Sequence, residues 1–232
     1  MNTHRDLLTP TPPARPDGRR RRQTRGADQW QRVLDQAVAA LEGPGWGVID
    51  HFLPETLWHA LAERAEHRFQ QGDFHDAGIG ARAELRPGVR GDAICWLSPQ
   101  PSDPLEGQFL ARIEALRLAI NRRLWLGLME YECHYARYPV GARYQRHLDQ
   151  VRGRQARTVT LITYLNRDWQ AADGGALRIH PEHAAPVEIL PQGGRAVIFL
   201  SAELEHEVLP ARRPRLALTG WYRRRPRSGL PA

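Results

Sequence analysis

The sequence predicts an α+β fold in which helices come first and a run of strands closes into a barrel or jelly roll. Three observations carry this reading. Apolar residues recur at helical spacing through the first half of the chain, and that spacing disappears from about Tyr131. From there, short β-branched or aromatic segments alternate with the turn signals DGG, HPEHAAP and PQGG.

In chain order, residues 1–27 are rich in proline, arginine and threonine without periodicity and read as a disordered basic arm. Residues 28–232 read as one folded domain, the better prior for a chain of 232 residues with 41% hydrophobic content. ADQWQRVLDQAVAALEG places Trp30, Val33, Leu34, Ala37, Val38 and Leu41 at helical spacing and ends at Gly43-Pro44-Gly45. WGVIDHF is strand-like. PETLWHALAERAEHRFQQG is a second helix, with proline at its start and glycine at its end, and DPLEGQFLARIEALRLAINRRLWL is a third. Between them HDAGIGARAELRPGVRGD, residues 75–92, is polar and aperiodic, and reads as a mobile loop of the kind that carries function. YECHYARY, RTVTLITYLN, GALRIH, PVEIL, RAVIFL, HEVLP and RLALTGWYRR then read as strands.

Composition excludes several chemistries. All 33 basic side chains are arginine, so neither a P-loop lysine nor a Schiff-base lysine is available. The net charge of +7 is concentrated near the ends, in Arg19–Arg22 with Arg25 and in Arg223–Arg225 with Arg227, as in solvated tails. Cys95 and Cys133 are too few for a disulfide framework or a zinc ribbon, which fits a reducing compartment. With no apolar run of membrane length and no signal-peptide core, a cytoplasmic protein without membrane contact is expected.

A metal in this chain must therefore be held by nitrogen and oxygen. In YPVGARYQRHLDQ, His147 and Asp149 lie two apart, so that in a strand an imidazole and a carboxylate project from one face. By itself such a pair is most often a surface hydrogen bond. Of the other histidines, His4 lies in the arm, His59 and His67 on the second helix, and His134 in a strand where a core role is the plainer account. His206 follows the apolar strand RAVIFL and precedes another, so it returns to the same end of a barrel. Two histidines and a carboxylate with open positions are the arrangement of non-haem Fe(II) oxygenases; the zinc-hydrolase alternative lacks its His-Glu-x-x-His. A keto-acid co-substrate needs a cation for its distal carboxylate, and Arg215 lies nine residues after His206, with Thr219 on the same strand face.

YPVGARYQRHLD, LITYLNRDWQAADGGALRI and HEVLPARRPRLALTGWY, with RGDAICW upstream, resemble the prolyl 4-hydroxylases of the oxygen-sensing prolyl hydroxylase domain type and their bacterial counterparts, Fe(II)/2-oxoglutarate dioxygenases, from about Gly45 to Arg224. The resemblance implies a double-stranded β-helix core with supporting helices. It implies His147, Asp149 and His206 as iron ligands, Arg215 as partner of the distal carboxylate of 2-oxoglutarate, and Tyr164 as a second donor to that carboxylate. Tyr138 stands beside the co-substrate, and Leu177, Val208, Thr219 and Trp221 line the pocket. Arg90, Asp92 and Arg157 match positions that hold the substrate loop and target peptide. The implied reaction consumes 2-oxoglutarate and O2, with ascorbate as a further small-molecule ligand, releases succinate and CO2, and hydroxylates C4 of a proline. The implied partner is a protein, elongation factor Tu for the bacterial relatives.

Two other readings stand beside it. One is an oxygenase of a free amino acid or of alkylated nucleic acid, although the second arginine of nucleic-acid demethylases, six residues after the first, is replaced by Trp221. The other is a non-enzymatic basic β-barrel that binds RNA or the ribosome, which would make no succinate.

Overall fold

The computed structural model describes residues 18–78, 84–86, 88–150 and 157–224. Helix α1 (Gly18–Glu42) opens ten residues before the expected start at Asp28, so residues 18–27 of the expected disordered arm are helical, and residues 1–17 lie outside the described residues. Nothing after Pro16 interrupts the backbone, and arginine and glutamine are good helix formers. The chain divides at Arg32, and the body of the fold begins at Val33. Within that body Val33, Leu34, Ala37, Val38 and Leu41 of α1 are buried, the stripe expected of an amphipathic helix.

Strand β1 (Trp46–Ile49) and helix α2 (Glu55–Gln70) follow, the helix entered through Pro54 in an extended conformation. The segment expected as a loop, 75–92, holds the two-residue strand β2 (His75–Asp76), paired with β3 (Ala93–Trp96). Residues 79–83 and 87, the remainder of the expected mobile loop, lie outside the described residues. Helix α3 (Pro104–Leu124) starts where Asp103 accepts the Leu105 N–H at 2.8 Å with proline at the first position, and it stops at Trp125, whose φ of 54° is left-handed. Phe109, Ile113, Leu116 and Ile120 give α3 a buried stripe. Each such side chain contributes about 1.5–3 kcal/mol relative to exposure.

The seven strands expected from Tyr131 onward are present as β4 (Glu130–Tyr138), β6 (Arg157–Tyr164), β7 (Leu177–His180), β8 (Val187–Ile189), β9 (Ala196–Leu200), β10 (Glu205–Val208) and β11 (Arg215–Arg223), and an eighth, β5 (Tyr144–His147), lies outside those segments, in the stretch that carries the His-x-Asp pair. They form two antiparallel sheets, one in the order β1-β9-β6-β11-β4-β3-β2 and the other β5-β10-β7-β8. Alternation sorts the strands of the larger sheet into two faces. Tyr135 and Tyr222 face the helices, where Tyr222 Oη donates to the Ile113 carbonyl at 2.8 Å. Ala136, Tyr138, Ile162, Tyr164 and Ala217 face the smaller sheet, packing with Leu177, Ile179, Phe199 and Val208. This is the double-stranded β-helix core expected of the chain. Among the described residues, no helix is long and apolar enough to cross a membrane.

Candidate active site

One end of this core gathers the residues singled out in the sequence. His147 closes β5 and His206 stands on β10, directly opposite it in the ladder, with ring centroids 4.3 Å apart. Asp149 does not share a strand face with His147 as the His-x-Asp spacing suggested, because β5 ends at His147 and Asp149 sits in the bend beyond it. The bend is fixed by the Gln150 N–H to the Ser201 carbonyl (3.2 Å) and by Thr160 Oγ1, which donates to Asp149 Oδ2 at 2.8 Å. The carboxylate is thereby returned to the histidines, with Oδ1 3.5 Å from His147 Nε2 and Oδ2 3.7 Å from His206 Nε2.

The tautomers follow from the second ring nitrogen. His147 Nδ1 donates to the Gln145 carbonyl at 2.7 Å and His206 Nδ1 to the Leu204 carbonyl at 3.1 Å, which orients each ring with Nε2 turned toward the carboxylate. One donor atom from each of the three residues lies within 4.8 Å of the other two. Burial opposes the charge on Asp149, yet His206 and His147 beside it hold its carboxyl well below the usual carboxylate range. Two imidazole nitrogens and a carboxylate converging on one point form a donor set that fits Fe(II).

The second half of the site is built by β11. Arg215, Thr219 and Trp221 alternate along one face of that strand and line the same cavity as the triad. Arg215 is only 2% exposed, and its Nε donates to the Gly175 carbonyl at 2.9 Å. The DGG turn permits this approach: a Cβ at Gly175 would meet Ala211 Cβ at 2.8 Å and Trp169 at 3.0 Å. The guanidinium lies 5.2 Å from the ring of Tyr138 and 5.1 Å from that of Tyr164. Arg215 Nη2 and the neighbouring Tyr164 Oη are buried with no hydrogen-bond partner at normal distance, and among the described residues no carboxylate pairs with Arg215. Orphaned donors around a buried cation require an anionic occupant rich in acceptors.

The cavity wall contains Tyr138, Leu177, Val208, Arg90 and Asp92, each singled out from the sequence. Arg90 and Asp92 form a bidentate pair, Nε–Oδ1 2.6 Å and Nη2–Oδ2 2.9 Å, with Arg90 also over the Tyr144 ring. Arg157 is not part of the cavity lining. Its guanidinium lies 3.5 Å over the ring of Trp221 and pairs with Glu132 at 2.9 Å, bracing the wall from behind. Tyr164 also lies behind the lining, beside Arg215.

Two lining residues, Tyr144 and Ile162, went unnoticed in the sequence, and a third, His134, reads there as a core histidine. His134 and Ile162 both pair with Thr219 across β11, so following one ladder row outward from Thr219 finds them. Tyr144 is hidden by a bulge. His206 pairs with His147 and Val208 with Tyr144, so β10 advances two residues while β5 advances three. Tyr144 therefore stacks on His147 at 3.6 Å although strict alternation would turn it away.

Titration of the metal-free protein has a defined direction. Burial lowers the pKa of both His134 and His206 from 6.5 to about 4. Between these values the unfolded chain binds protons that the folded chain refuses, so stability is full above the upper value and falls as pH drops toward the lower one. Urea denaturation is expected to show a lower midpoint at about pH 4.5 than at about pH 7. Equal midpoints would show that these rings are not held neutral by the fold.

Comparison with known proteins agrees with this geometry. The family model of the 2OG-Fe(II) oxygenase superfamily matches residues 133–223, from β4 to the end of β11. The chain is 33% identical over 199 residues to prolyl hydroxylase EGLN3 of Mus musculus, covering 82% of this chain and 83% of that protein. It is 31% identical over 229 residues to Egl nine homolog 1 of Homo sapiens, covering 95% of this chain and 53% of that protein, so it spans about half the length of that relative. Among solved structures, a Pseudomonas putida prolyl-4-hydroxylase shares 44% identity at a TM-score of 0.77, covering 83% of this chain and 100% of the other. A Trichoplax adhaerens prolyl hydroxylase, solved in complex with a hypoxia inducible factor peptide fragment, shares 29% identity at a TM-score of 0.80, covering 86% and 93%. With this likeness running through nearly the whole of one relative and most of another, the chain belongs to the 2OG-Fe(II) oxygenase superfamily and, within it, to the prolyl hydroxylases.

Proposed function

We propose that the protein is an Fe(II)- and 2-oxoglutarate-dependent dioxygenase that hydroxylates C4 of a prolyl residue in a protein substrate, releasing succinate and CO2. The observation that carries this reading is Arg215, a buried guanidinium with no acidic partner among the described residues, which lines the same cavity as the His147–Asp149–His206 triad. His147 Nε2, Asp149 and His206 Nε2 would hold the iron, and their Nδ1 bonds to backbone carbonyls keep both rings oriented. When bound, iron supplies the redox chemistry that couples decarboxylation of the keto acid by dioxygen to hydroxylation of a C–H bond. Arg215 takes the distal carboxylate of 2-oxoglutarate in a charge-assisted fork, and Tyr164 Oη adds one hydrogen bond. Tyr138, Leu177, Val208 and Thr219 enclose the co-substrate and exclude water. Trp221 forms the wall toward the peptide, braced by Arg157, while Arg90, paired with Asp92, donates to the Gly78 carbonyl at the rim. Ascorbate would serve as an accessory reductant.

A protein substrate is favoured because relatives are prolyl hydroxylases, one of them captured with a peptide. Elongation factor Tu is the first candidate. The test incubates the protein with Fe(II), 2-oxoglutarate and bacterial lysate, and maps 16 Da gains by mass spectrometry. A gain on proline accompanied by succinate supports the reading; succinate without modified proline in any protein would remove the substrate assignment.

Tyr164→Phe removes one hydroxyl and leaves the ring in the core. It is expected to raise the apparent KM for 2-oxoglutarate about 2- to 10-fold, the value of a single buried hydrogen bond. An unchanged KM would place the hydroxyl outside the co-substrate site.

A further inference from the structure

His134 belongs to the cavity wall but has no part in holding metal or 2-oxoglutarate. It occupies the row that runs Trp96, His134, Thr219 and Ile162 across β3, β4, β11 and β6. Its ring is held between two indoles, edge-on to Trp96 at 4.9 Å and tilted against Trp221 at 5.6 Å. Only 1% of the residue is exposed. Nδ1 lies 3.1 Å from the Tyr135 carbonyl, which can only accept, so Nδ1 carries the proton and Nε2 presents a bare lone pair. No group of the described chain donates to Nε2. Thr219, its neighbour in the row, adds a hydroxyl to the same wall.

His134 lines the cavity with this acceptor unused by the protein, whereas an apolar side chain of similar size would pack between the two indoles without offering one. Such an acceptor on the cavity wall is suited to a donor that arrives with the ligand. Neither 2-oxoglutarate, an acceptor through both carboxylates, nor dioxygen supplies one. The prolyl ring brings none before reaction, since proline has no N–H. A donor on the peptide remains, either the backbone N–H that follows the target proline or the hydroxyl formed at C4.

We propose that His134 is a positioning residue whose Nε2 accepts a hydrogen bond from the bound proline-containing peptide, selecting the pose in which the target ring enters the cavity. Burial, which keeps the ring neutral near pH 7, preserves the acceptor. The inference rests on the prolyl hydroxylase reading, and the experiment separates the two. A synthetic peptide centred on the proline that the wild-type protein hydroxylates is titrated anaerobically into the Fe(II)·2-oxoglutarate protein, in proline and 4-hydroxyproline forms. His134→Leu fills the space without an acceptor, and His134→Gln places an amide oxygen near the lost Nε2. The leucine variant is expected to bind about 3- to 10-fold more weakly, a buried hydrogen bond's worth, with affinity restored by glutamine. Weakening of both peptide forms assigns the donor to the backbone N–H; weakening confined to the hydroxylated form assigns it to the new hydroxyl. Wild-type affinity for both forms in His134→Leu overturns the inference, as does equal impairment of the glutamine and leucine variants, or an accompanying loss of 2-oxoglutarate affinity. A wild-type protein that hydroxylates no proline fails the underlying reading instead.

Discussion

Arg215→Met is expected to give a protein that is more stable than the parent without 2-oxoglutarate and deaf to its addition. Ordinarily, truncating a fully buried side chain destabilises. Here the side chain carries a charge, is 2% exposed, gives Nε to the Gly175 carbonyl and leaves Nη2 unpaired. Methionine matches much of its reach and needs no partner, and replacing buried charges by well-packed apolar groups stabilises by about 1–4 kcal/mol in favourable cases. In the parent, 2-oxoglutarate at a hundred times its Kd adds about 2.7 kcal/mol of stability, and the variant is expected to gain none of it. Arg215→Lys keeps the charge but loses the planar fork, so its co-substrate affinity should fall about 10-fold or more. Thermal melts with and without 2-oxoglutarate, under anaerobic Fe(II), read both effects. A methionine variant that melts far below the parent and still rises with 2-oxoglutarate would make Arg215 a packing residue.

That inversion explains why the arginine is legible as a functional residue in structure more sharply than in sequence. In a chain with 33 arginines, one more on a strand carries little weight alone. Its meaning comes from burial without a carboxylate, which depends on the DGG turn between β6 and β7 and on the tyrosines packed beside the guanidinium. The ladder makes the same point. Thr219 is readable from Arg215 because both lie on one strand, whereas His134 and Ile162 reach the cavity by pairing with Thr219 from neighbouring strands, information that no local period contains.

The strands themselves are legible where alternation extends over several residues, as in β4, β6 and β11. It fails for β2, two residues long, whose existence depends on the edge offered by β3. It fails at β5 for a different reason: the bulge opposite His206 and the bend at Asp149 both break the two-residue repeat at the site itself. The His-x-Asp pair pointed to the right neighbourhood through an incorrect local geometry. The side chains converge because Thr160 and the Gln150 backbone bond fold the bend back, and not because they share a strand face. Local rules break where function demands an irregular backbone.

The bend gives the metal prediction its sharpest form. Asp149→Asn keeps the shape and an oxygen to accept the Thr160 hydroxyl, but removes the charge that balances a divalent ion; His147→Ala and His206→Ala each remove one Nε2 donor. All three are expected to lower Fe(II) affinity by at least about 100-fold, since changes merely to groups orienting metal ligands already cost 10- to 100-fold. The metal-free fold should survive, because the triad stands at one end of the barrel while the inter-sheet core is carried by Tyr138, Ile162, Leu177, Phe199 and Val208. In the parent, three donors directed at one point fit a divalent ion, so added Fe(II) should raise the melting temperature, and by more the tighter it binds. The variants should lose that rise while their metal-free melting stays close to the parent's. Asp149→Asn is the decisive case. If it retained the Fe(II)-dependent rise in full, Asp149 would be a buried structural carboxylate held by Thr160, and the iron would have to find its third ligand elsewhere.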